Sequence, residues 1–108
     1  MIFTPYFLKR AQKVWPVSDV SGANKTIDTD VPTLMLSGEM DHVCPPEYAI
    51  DLSKTLKNAH LYIFPGVAHS PIDVGLCGIL MMKEFIDDPS KAPDNSRMSE
   101  FRDEFRMP

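Results

Sequence analysis

Two short apolar runs flank a single amphipathic segment of helix length. That arrangement limits the folds open to this chain more than any other feature. Val31–Gly38 is apolar, begins near Pro32 and stops at a glycine, the pattern of a strand buried on both faces. Pro32 falls at the start of the run, where a missing N–H is tolerated. His60–Pro65 is a second run, rich in aromatic and β-branched residues and closed by Pro65-Gly66. Between them, Ala49, Leu52 and Leu56 recur at i, i+3 and i+7, while Glu47, Asp51, Lys54 and Lys57 occupy other faces. The spacing predicts a helix over 46–57, with Pro46 in its first turn and Asn58 as a left-handed cap.

Strand, helix, strand makes one right-handed crossover, so the two strands are expected to be parallel and, if adjacent, about 4.8 Å apart. The loops that follow them then leave the same sheet edge, where open α/β sheets hold their sites. Asp41 and His69 each lie three residues beyond a strand-ending glycine, Gly38 and Gly66. Topology alone thus places a carboxylate where it can orient an imidazole.

The local words around both residues resemble a family. Leu36-Ser-Gly-Glu-Met-Asp-His-Val-Cys-Pro-Pro-Glu-Tyr-Ala49 resembles the acid loop of α/β-hydrolases. Phe64-Pro-Gly-Val-Ala-His-Ser70 resembles their histidine loop. Trp15-Pro16 and Phe85-Ile-Asp-Asp-Pro89 are similar to the C-terminal region of tripeptidyl-aminopeptidase-like serine peptidases, relatives of prolyl aminopeptidases. The likeness spans roughly residues 12 to 96. It implies the C-terminal part of an α/β-hydrolase fold over 1–96, a short parallel sheet flanked by helices; beyond the likeness, residues 97–108 form a charged tail with Phe101 and Phe105 at helical spacing.

By the same resemblance, Asp41 is the triad acid and His69 the general base, and the nucleophilic serine belongs upstream in Gly-x-Ser-x-Gly. No such pentapeptide occurs in the 108 residues; Ser18, Ser21, Ser37 and Ser70 all lack its context. The chain is therefore expected to supply the acid and base of a serine hydrolase but not its nucleophile. The parent is expected to release short N-terminal units from peptides. The alternative is an inactive chain that folds with a missing N-terminal portion or with a second copy of itself. Peptide or ester is the expected substrate class, and no cofactor or metal is expected. No Gly-x-Gly-x-x-Gly or phosphate loop is present to suggest a nucleotide.

Composition agrees with one globular domain: 44% of residues are hydrophobic and 24% charged. A net charge of −4 disfavours nucleic acid or an anionic membrane as partner. No apolar stretch approaches the roughly 20 residues of a membrane span. Met1-Ile-Phe-Thr-Pro-Tyr6 lacks the charged start and apolar core of a signal peptide, so the cellular address stays open. Elsewhere, residues 5–14 carry Phe7, Leu8, Ala11 and Val14 at helical spacing, and 18–30 read as a loop. Val74–Asp87 is apolar nearly all round, which predicts a buried helix stopped by Pro89. Ser90 to Ser96 reads as a linker, and Ser99 is positioned to cap the tail.

Several residues have plainer readings. Asp41 also suits a simple turn, and His69 a loop. His42 is expected to face solvent, and His60 to open a strand without chemistry. Two cysteines make no disulfide framework. Members of the resembled subgroup often pair a cysteine at the position of Cys77 with one just past an Asp-x-Ser word near the C-terminus. Here that word is Asp94-Asn-Ser-Arg97, so the partner is missing, and Cys77 is expected to be a small buried hydrophobe. A Cys44–Cys77 bridge is left open. Asp41, His42, Cys44 and His69 offer a mixed donor set for zinc, although their spacing matches no standard zinc pattern. Cys44 follows the wrong strand to act as a nucleophile.

Overall fold

A computed structural model describes residues 10, 11, 13–15, 21, 22, 25 and 27–101 of the chain. Strand β1 (Thr33–Gly38) and strand β2 (Ala59–Phe64) pair in parallel, in a register running from Thr33 opposite Ala59 to Gly38 opposite Phe64. Helix α1 (Pro46–Ser53) makes the crossover between them. A 3-10 turn at Pro71–Asp73 and helix α2 (Cys77–Asp87) follow β2, and a second 3-10 segment covers Ser96–Phe101. The fold is thus α/β, a two-stranded parallel sheet flanked by helices.

Helix α1 starts at Pro46, as expected, but ends at Ser53 rather than at residue 57. Side-chain hydroxyls compete for its last carbonyls: Ser53 Oγ donates to the Ile50 carbonyl and Thr55 Oγ1 to that of Leu52. The N–H groups of Lys54 and Thr55 reach back only three residues, to Asp51 and Leu52, which tightens and closes the turn. Leu56 is thereby released to bridge Thr29, where it is buried. Asn58 is not the left-handed cap that its residue type suggested. Among the described residues, Ser70 alone of the non-glycines has a positive φ. The Asn58 amide donates instead to the Asp30 carbonyl.

The core is small. Phe64, Val67, Cys77 and Met81 are buried, with Leu36, Tyr62, Met98 and Phe101 packed against them. Phe64, fully covered, meets the Phe101 ring edge-on at 5.5 Å between centroids. Met98 and Phe101 therefore bind the start of the tail to the core; the expected helical continuation through residue 106 lies outside the described residues. Within the 3-10 segment Ser99 Oγ donates to the Ser96 carbonyl, so it lies inside an element rather than capping one. The suggested helix over 5–14 falls largely outside the described residues, although Arg10, Ala11, Lys13 and Val14 are helical.

Helix α2 corrects a second expectation. Only Cys77, Gly78 and Met81 are buried along it. Ile79, Met82 and Ile86 form an exposed stripe, with Ile86 72% exposed. Periodicity reported how apolar the helix is, whereas burial depends on what lies against each face, and two strands cover only one.

Candidate active site

The acid loop after β1 and the histidine loop after β2 meet because the strand ends lie side by side. Gly38 is required at that meeting point. A Cβ there would lie 2.0 Å from the Ala68 carbonyl oxygen and 2.4 Å from that of Val67. The histidine loop thus crosses directly over the end of β1. Backbone and side chain then lock the two loops together. The Glu39 N–H donates to the Phe64 carbonyl at 3.0 Å and the Met40 N–H to that of Val67 at 2.9 Å. The Gly66 N–H donates to Glu39 Oε2 at 2.8 Å, from a glycine whose φ of 66° a side chain would strain.

Asp41 sits at the centre of this junction and is 7% exposed. Its Oδ1 accepts the N–H groups of Val43 and Cys44, each at 2.8 Å. Its Oδ2 lies 2.8 Å from His69 Nδ1. The Cys44 N–H leads the effects that hold the Asp41 carboxyl below the ordinary carboxylate range; burial opposes it, and the His69 and Val43 hydrogen bonds reinforce it. An ionised carboxylate can only accept. Nδ1 therefore carries the hydrogen in this pair, and Nε2 keeps its lone pair in the neutral ring. The His69 side chain is 52% exposed, so the ring is open to a reacting group. Ser70, next in the chain, adopts the left-handed conformation at φ 64° and turns the backbone into the Pro71–Asp73 segment.

Asp41 and His69, expected to meet, do so. Cys44 joins them: one donor atom each from Asp41, Cys44 and His69 lie within 4.8 Å of one another. His42 is exposed and stands outside that group. His60 stacks edge-on with Phe85 at 6.1 Å, on the sheet rather than at the loops. Cys44 and Cys77 are both free thiols, the first exposed and the second buried, so no bridge joins them; burial pushes the Cys77 thiol up.

A cleft of about 580 Å³ opens beside the pair, with Leu34, Leu36, Tyr48, Leu52 and Ile72 among its walls. Sequence reading missed this cleft and the clamp through Glu39. No local pattern signals the clamp, because Glu39 accepts from an N–H 27 residues further along the chain.

The family model described as TAP-like protein matches residues 2–97. The chain belongs to this TAP-like α/β-hydrolase family. Comparison with curated proteins and with solved structures returned no match to either. Membership in the TAP-like family accounts for the parallel pair of strands and for the loops that follow them; the chain carries a hydrolase-family domain.

Proposed function

We propose that this chain contributes the acid and the general base of a serine hydrolase, with the nucleophile coming from a segment outside these 108 residues. The 2.8 Å pairing of Asp41 Oδ2 with His69 Nδ1 carries the reading. In it, His69 Nε2 accepts the proton of a serine hydroxyl as that oxygen attacks an acyl carbon. The same nitrogen then returns the proton to the departing amine or alcohol. Asp41 stays ionised throughout, holds the ring in the productive tautomer and stabilises the imidazolium. A peptide substrate, cleaved to release short N-terminal units, is favoured by the sequence likeness to tripeptidyl-aminopeptidase-like enzymes. The apolar cleft beside His69 gives an acyl or side-chain group somewhere to lie.

The chain alone is expected to hydrolyse no ester or aminoacyl substrate, because no described serine stands in a nucleophile turn and the sequence contains no Gly-x-Ser-x-Gly. The test is reconstitution. Co-expression with an N-terminal hydrolase portion bearing that turn should yield turnover of a chromogenic N-terminal peptide substrate, and His69→Ala should reduce it by several orders of magnitude. Asp41→Asn should cost about 10⁴-fold. Turnover by the isolated chain that disappears in His69→Ala would contradict the division of labour.

The exposed stripe Ile79, Met82 and Ile86, and an edge of β1 that no strand pairs among the described residues, favour a companion reading, in which the chain folds in association with that portion or with a second copy. Sedimentation of a compact 12.2 kDa species at high concentration would count against it.

A further inference from the structure

We propose that Asp41, Cys44 and His69 form a binding site for a borderline divalent cation, with zinc the best match, whose occupation excludes the base function of His69. Three observations carry this. Their oxygen, sulfur and nitrogen donors lie within 4.8 Å of one another. Ligands on a tetrahedral zinc stand roughly 3.3 to 3.6 Å apart, given bond lengths of about 2.0 to 2.3 Å, so a shift of about 1 Å suffices to close the cluster. Cys44 is exposed and can make that shift by a rotamer change, while its backbone stays pinned to Asp41 Oδ1 at 2.8 Å. Finally, a thiolate, an imidazole and a carboxylate together suit zinc or cobalt better than magnesium or calcium, which prefer oxygen alone.

The site differs from a resident catalytic zinc centre in its consequence. Coordination through His69 Nδ1, the nitrogen that already lies 2.8 Å from Asp41 Oδ2, displaces that hydrogen bond and moves the ring hydrogen to Nε2, so the ring can no longer act as a base. The Cys44 thiol loses its proton to solvent, and no electron changes hands. Zinc is then a reversible inhibitor held by the acid–base pair itself and by a cysteine that the hydrolytic reaction does not use. The inhibitory consequence rests on the function proposed above; the binding does not.

Cobalt(II) and zinc titrations of the full 108-residue chain test it without any activity. Cobalt should produce a thiolate-to-cobalt charge-transfer band in the near ultraviolet, bleached by one equivalent of zinc. C44S should abolish that band and weaken zinc binding by at least about tenfold, with an unchanged circular dichroism spectrum. His42→Ala should leave both intact. Absence of the band in the unaltered chain, zinc affinity in C44S equal to the parent's, or loss of binding in His42→Ala would each overturn the proposal. In the reconstituted hydrolase, zinc should inhibit the unaltered chain and spare C44S by the same tenfold. Binding without such inhibition would overturn the claim of exclusion, while failed binding would leave the acid–base reading standing.

Discussion

Replacing Gly38 by Ala tests the junction between the two loops directly. A Cβ at this position would lie 2.0 Å from the Ala68 carbonyl oxygen and 2.4 Å from that of Val67, whereas real Cβ contacts essentially never fall under 3.0 Å. The nearer oxygen must therefore retreat by about 1 Å. Both obstacles are backbone, so no flexible side chain can swing aside. Overpacking of this kind costs on the order of 3 kcal/mol, a large share of the 5–15 kcal/mol that holds a typical domain folded. At roughly 4–8 °C per kcal/mol for a domain of this size, the thermal midpoint should fall by more than about 10 °C. His69 lies immediately after Ala68, so the same displacement should loosen the His69–Asp41 bond and remove the downfield proton resonance expected of Nδ1–H. Gly22→Ala is the control, because the nearest atom to its Cβ would be Lys25 Cε at 4.0 Å. Thermal melts with one-dimensional proton spectra read both effects. A Gly38→Ala midpoint within about 3 °C of the parent's, with the resonance retained, would refute the close-crossing argument.

Two further outcomes follow from the core and the carboxylate. Asp41 titrates below an unfolded carboxyl, so its ionised form stabilises the fold at and above the ordinary value of 3.8 and loses that contribution as pH falls through the lower folded value. Asp41→Asn should consequently be less stable than the parent at pH 7, with the difference narrowing toward pH 3; urea midpoints that differ equally at both pH values would remove the carboxylate's role. Phe64→Ala, at the most deeply buried aromatic, should cost about 3–5 kcal/mol and leave the chain largely unfolded at room temperature by circular dichroism.

Much of the site was legible because it rests on topology. Two apolar runs ending in glycine, with one helix between, place both following loops at one edge whatever the side chains do; Asp41 and His69 inherit their meeting from that. The end of α1 was not legible, because Ser53 and Thr55 compete for carbonyls through hydroxyl rotamers that hydrophobic spacing does not register. The exposure of Ile79 and Ile86 was missed for a different reason: an apolar pattern states a preference for cover without saying what provides it. That Cys44 rather than His42 would join the pair was hidden in loop dihedrals, which the Asp41 side chain sets by accepting the N–H groups two and three residues on.

The carboxylate of Glu39 and the two main-chain bonds beside it make residues 38–70 behave as a single mechanical piece. Anyone transplanting this half-site onto another scaffold would have to move that piece whole, intervening helix included. Exchanging either segment by itself would part the imidazole from its acid even though every reacting atom had been kept.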